Sequence, residues 1–149
     1  DRSSAASDVY KRQMLVYSVN WFGLPLNGPD GSDVNAQFSA HEHRFGIHAG
    51  EIETSMMLAL APQQVDMAQA QNFPSTSEER ARQYPILGNG KSAKLGWQIQ
   101  DYNASGAVGN AAAATAVKGE AVLDAAGRAL AQLLCEVHRL PATTVRPHP

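Results

Sequence analysis

Leu123, Ala126, Leu130, Leu133, Val137 and Leu140 recur at alternating steps of three and four residues, a spacing that an α-helix turns into one apolar face. The stretch from Ala111 to Leu140 therefore predicts a single amphipathic helix, capped by Asn110 and stopped by Pro141. Lys118, Glu120, Asp124, Arg128, Gln132, Glu136 and Arg139 fall on the solvent side. Cys135, the sole cysteine, lies among apolar residues of this helix and reads as a small buried hydrophobe. One cysteine excludes an intrachain disulfide and suits a reducing, cytoplasmic compartment.

At the other end, "MLVYSV" (Met14 to Val19) is an almost unbroken run of strand formers. It predicts a buried strand of a parallel sheet. The chain leaves it through Asn20, Trp21 and Phe22 into the turn-rich "GLPLNGPDGSD". Open α/β sheets bind ligands just beyond the ends of such strands, which makes Trp21 a candidate pocket wall.

The most informative stretch is "HAGEIETSMMLALAP", His48 to Pro62. Gly50 ends a loop, and Glu51 to Ala61 predicts a buried apolar helix closed by Pro62. Glu51 and Glu53 have a structural reason to be there, because negative charge in a first turn complements the helix dipole. His48 has none. Beside free N–H groups at a helix entry it is a candidate for moving a proton while those groups face developing negative charge.

His41 and His43, with Glu42, Glu51 and Glu53 nearby, also permit a metal reading. A His-x-His pair puts both rings on one face if the segment is a strand. No second ligand group stands at a diagnostic distance, and loop or subunit-contact roles for these histidines stay open.

Composition narrows the classes further. The chain has 149 residues, 44% of them hydrophobic, enough for one domain with a core. Its net charge is −2 with Lys and Arg scattered, so no footprint for nucleic acid or anionic lipid is present. No apolar run approaches the roughly eighteen residues of a membrane span. Residues 65–96 read as a long, loose connection over a site or interface. Leu95 to Gln100 reads as a short strand, and the turn from Asn103 to Asn110 lacks the spacing of a nucleotide-binding loop. Residues 1–13 (Asp1 to Gln13) are expected to be a loose tail and resemble a translated sequencing linker; 14–141 form one domain, and 142–149 a frayed tail.

"FGIHAGEIETSMMLALAP", followed by "NFPS", "GW", "SGAVGNA" and "ATAVKGEAVL", resembles the C-terminal half of the creatininase (creatinine amidohydrolase) family, from about Met14 through the last helix. The resemblance implies an α/β fold, a three-layer α/β/α sandwich, in a homo-oligomer of six subunits. It also implies a centre of two divalent metal ions, zinc or manganese, that hydrolyses a C–N amide bond in a small molecule or a peptide. By this likeness His48 matches the family's catalytic histidine, Glu53 the glutamate of the Glu-Thr-Ser block, and Trp21 a tryptophan bordering the substrate pocket. Arg44 stands in the neighbourhood of the family's second pocket tryptophan, and Ile47 precedes His48 where creatininases carry an acidic residue.

The family's metal ligands belong to segments that do not appear in this chain, so the resemblance implies an N-terminally truncated domain with half an active site, inactive alone. In the intact enzyme His48 would shuttle a proton while Glu53 orients it or secures the helix entry. Two other classes compete: a non-catalytic creatininase-like scaffold, and a mononuclear metal-binding protein using His41, His43 and His48.

Overall fold

A computed structural model describes residues 15–144. Four helices dominate them: α1 (Ala40–Phe45), α2 (Glu51–Leu60), α3 (Thr76–Gln83) and α4 (Ala116–Arg139). The one sheet among the described residues joins β1 (Asn72–Phe73) and β2 (Gly109–Asn110) in antiparallel register, Asn72 opposite Asn110 and Phe73 opposite Gly109. The fold is thus mixed helix and sheet with a very small sheet, and the expected three layers are not visible in it.

The frame is a crossing of α2 and α4. Gly119 lets the backbones meet: a Cβ there would stand 1.9 Å from the Ser55 carbonyl oxygen. Ser55 is fully buried, and its hydroxyl oxygen accepts the Thr115 N–H at 3.1 Å. Val122 and Ala125, the next inward positions of α4, pack with Leu26, Val34 and Phe38 from the preceding loop, and Trp21, Leu24, Ile52 and Met56 close around them. The loop is pinned from outside by Arg128, whose Nη2 donates to the Asn27 carbonyl at 2.8 Å while Nη1 pairs with Asp124.

Several sequence expectations are corrected. Leu15 to Val19, the part of the expected strand that is described, has no sheet partner among the described residues, and Leu15, Val16, Tyr17 and Val19 are exposed. Strand propensity fixes only the extended backbone, and burial needs neighbouring strands and a covering layer that the described residues do not provide. Met14 of the expected strand and the expected tail, residues 1–13, lie outside the described residues, as do 145–149 of the expected C-terminal tail; Ala142–Thr144 form a 3-10 turn. Leu95 to Gln100 forms no strand; its last residues enter a 3-10 turn, Ile99–Asp101.

Helix α4 begins later than its composition suggests. Thr115, not Asn110, is its N-cap and accepts the Lys118 N–H, while Asn110 is held in β2. Its deepest face runs through Gly119, Val122 and Ala125, one step round from the predicted stripe; Leu130, Leu134 and Cys135 are exposed. Among the described residues, the C-terminal half of the helix runs past the elements that could cover it. Helix α2 ends at Leu60, one residue short of the expected Ala61 and before Pro62, and its most buried positions are Glu51 and Ser55, while Met57 and Leu60 face outward.

Helix α3 falls in the stretch that reads as loose. Its signal was present in Ser75-x-x-Glu78: the Ser75 hydroxyl accepts the Ser77 N–H, and the Glu78 carboxylate takes the Ser75 N–H in return.

The glycines of α4 make a paired test of the crossing. Gly119→Ala is expected to destabilise by about 3 kcal/mol, the upper end of overpacking costs. Gly127→Ala, with nothing within 4 Å of the added carbon, is expected to stabilise by about 0.5–1 kcal/mol through helix propensity. Denaturant melts of both variants measure the difference, and equal effects would show that the crossing does not need a bare backbone.

Candidate active site

The segment between α1 and α2 builds the site. Helix α1 ends as the Gly46 N–H donates to the Glu42 carbonyl at 2.8 Å. The next residues are stitched to the strand side: the Ile47 and His48 N–H groups both donate to the Val108 carbonyl at 3.0 and 3.3 Å, and the Val108 N–H returns a bond to the His48 carbonyl at 2.8 Å. Ala49 then takes a left-handed backbone, φ 52°, and Gly50 opens α2. A non-glycine residue in that region is strained and must be held by its surroundings.

The Glu-Thr-Ser triplet supplies the holding. Glu53 Oε2 accepts the Ala49 N–H at 2.6 Å, the Thr54 hydroxyl donates to the Ala49 carbonyl at 3.3 Å, and Ser55 receives Thr115. Each residue of the block therefore has its own partner. The same Glu53 oxygen lies 3.2 Å from His48 Nδ1, and both side chains are about half exposed.

A cavity of about 410 Å³ opens at this entry, lined among others by Trp21, Phe22, Glu42, His43, His48 and Glu53. Trp21 packs on the core with one side and meets Phe22 edge-on, ring centroids 5.9 Å apart, so it serves the core and the cavity wall together. Phe22 and Ile47, not singled out by the sequence, also line it. Two N–H groups of the helix entry are already engaged, Ala49 by Glu53 and Glu51 by Glu42. Those two cannot serve as free donors to developing negative charge, contrary to the sequence expectation.

The histidines do not converge. His41 and His43 sit on a helix, where positions two apart point about 200° round from each other. His41 Nε2 lies 3.2 Å from Glu78 Oε2 on α3, and His43 Nε2 lies 2.8 Å from the Asn35 carbonyl. His48 belongs to Glu53. No group of three or more His, Cys, Asp or Glu side chains suited to a metal ion occurs among the described residues. The alternative of a mononuclear site on His41, His43 and His48 is therefore not assembled among the described residues, because the strand geometry that would align the first two is absent. Arg44 also faces elsewhere, its guanidinium 4.8 Å over the Phe45 ring beside a separate hollow with Glu78 and Arg82.

The residue that sequence reasoning undervalued is Glu42. It is 3% exposed, and its two oxygens accept the Glu51 N–H at 2.7 Å and the Asn110 N–H at 2.9 Å. Glu51 is buried beside it and is paired with Lys118, whose ammonium also reaches the Ala113 carbonyl at 3.2 Å. Gly46 and Gly50, flanking the His-Ala pair, were the available clue that something large packs against this backbone.

The creatininase family model, described as creatinine amidohydrolase, matches residues 3–134. The chain belongs to the creatininase family. It is similar to a crystal structure described as "Putative creatinine amidohydrolase" from Bacteroides fragilis NCTC 9343, with 27% identity and a TM-score of 0.67. The match covers 93% of this chain and 49% of that one, so the chain spans about half the length of its solved relative. No curated protein matches it. In this creatininase-family chain the His-Ala-Gly-Glu entry and its Glu-Thr-Ser partner block form one bonded unit.

Glu78 offers a pH test of the α1–α3 contact. Burial works to raise its carboxyl, but the His41 ring, the Ser75 N–H and the charges of His41 and Arg82 outweigh burial and hold it below its ordinary value. A depressed carboxyl contributes stability above its unfolded value and loses it as pH falls through the folded value. His41→Ala is expected to raise the Glu78 midpoint and move that loss to higher pH. Carboxyl-carbon NMR titration of Glu78 reads it, and an unmoved midpoint would exclude His41 as the cause.

Proposed function

We propose that this chain carries the proton-transfer side of a metal-dependent amidohydrolase that opens a C–N amide bond in a small molecule or a peptide. The observation that supports it is His48 Nδ1 at 3.2 Å from Glu53 Oε2 on the wall of a cavity, within a family of amidohydrolases. The family generally uses a divalent metal, and two zinc or manganese ions are the proposed complement by family likeness. The described residues do not fit such a centre by themselves. Both Glu42 oxygens and Glu53 Oε2 are engaged by N–H groups, and His43 Nε2 is taken by Asn35.

What these residues do is move and hold a proton. A carboxylate beside Nδ1 favours the ring form with its proton there, which leaves Nε2 to take a proton from the attacking water and deliver it to the departing nitrogen. Glu53 does this while bonded to Ala49, so the group that sets the ring form also secures the helix entry. Trp21 and Phe22, nearly perpendicular to each other on the cavity wall, supply the aromatic surface against which a planar amide would pack.

The test uses a protein that spans the whole family domain and contains these residues, assayed on lactam, formamide and peptide substrates. His48→Ala is expected to lower kcat by about 10²–10⁴ with metal content unchanged. Metal lost in proportion to activity would make His48 a ligand instead, and full activity would remove it from the chemistry.

A further inference from the structure

Glu42 is buried without taking any part in the proton transfer just described, and its partners are backbone N–H groups rather than a cation. Those N–H groups belong to two separate elements, the first residue of α2 and the second of β2. The chain folds tightly around the carboxylate. A Cβ on Gly50, Gly46 or Gly109 would lie 2.2, 2.5 or 2.7 Å from Glu42 Oε1, so three passes of backbone close on one oxygen. Between Gly46 and Gly50 runs the strained Ile47-His48-Ala49 turn, which has little else to hold it beyond Val108, Glu53 and Thr54.

We infer that Glu42 is the positioning residue of the His48–Glu53 pair, its charge clamping the α2 entry against β2 so that Glu53 Oε2 stays beside Nδ1. The inference rests on reading that pair as the proton-transfer group. The physics is the cost of leaving a buried N–H without an acceptor. Glutamine has the size of glutamate but one acceptor oxygen, so its amide nitrogen must face either the Glu51 or the Asn110 N–H. The first turn of α2 then loosens, and Glu53 sits in that turn.

The experiment compares Glu42→Gln and Glu42→Asp with Glu51→Gln in the 149-residue chain, using NMR of the imidazole nitrogens, amide exchange and circular dichroism. Glu51→Gln is the structural control, because it breaks the buried Lys118 pair at the same helix end without touching the carboxylate clamp. In Glu42→Gln the His48 ring is expected to pass from one neutral form, protonated at Nδ1, to a mixture, with Glu51 and Asn110 amides exchanging about tenfold faster. Glu51→Gln is expected to melt earlier yet keep the single ring form. Glu42→Asp, which retains the charge and loses one methylene, is read in the same way if the glutamine variant does not stay folded.

An unchanged His48 ring form in a folded Glu42 variant overturns the inference. So does exchange of the Glu51 and Asn110 amides at the rate of exposed amides in the unmodified chain, a result that needs no variant at all. A ring without its proton on Nδ1 in the unmodified chain strikes instead at the proton-transfer reading, and amide exchange then still reports on the clamp separately.

Discussion

The distance between α2 and α4 is set by an absent atom. With no Cβ at Gly119 the two backbones touch at Ser55, and from that contact the neighbouring bonds follow. The Ser55 hydroxyl reaches Thr115, whose own side chain caps α4, and one turn earlier on α2 Glu51 comes within reach of Lys118. Val122 and Ala125 are carried inward to meet Leu26, Val34 and Phe38. Small and polar residues thus occupy the centre of the crossing, and the larger apolar side chains gather beside it. This explains why the apolar count of α2 is a poor guide to which of its positions are buried.

The same helix entry carries two carboxylates with different tasks. Glu42 faces inward and is hydrogen-bonded by N–H groups from two elements, whereas Glu53 faces the cavity and divides one oxygen between the Ala49 N–H and the His48 ring. Burial separates them. A carboxylate at the surface can exchange partners with water as a proton moves, while one enclosed by Gly46, Gly50 and Gly109 cannot lose its hydrogen bonds without cost. An enclosed inner carboxylate and a half-exposed outer one suit a site in which a strained turn has to hold a histidine steady.

Family membership and the local geometry bear on different questions. The matched residues place the chain in the creatininase family, and the bonds of Glu53 and Thr54 to Ala49 and of Ser55 to Thr115 account physically for the Glu-Thr-Ser block. Arg44 has turned onto Phe45, so the aromatic surface facing this cavity comes from Trp21 and Phe22.

The sequence by itself determined that one helix starts at Glu51 and another fills most of Ala111 to Leu140, with their proline stops and the family, and it named His48, Glu53 and Trp21 as candidates. These rest on local signals: periodicity, caps and a contiguous motif, all of which act within a few residues along the chain. The helix at Thr76–Gln83 was legible too, in its Ser-x-x-Glu box, but was hidden by a polar composition. Only the tertiary structure decided that Thr115 rather than Asn110 caps the last helix, that Cys135 is exposed, that Leu15 to Val19 finds no strand to pair with among the described residues, and that His41, His43 and His48 go to three different partners. It alone decided the place of Glu42. A carboxylate acquires that role from Asn110, 68 positions away, and from glycines that come to it only when the chain has folded, because hydrogen bonding and packing act through space and leave no period in the sequence.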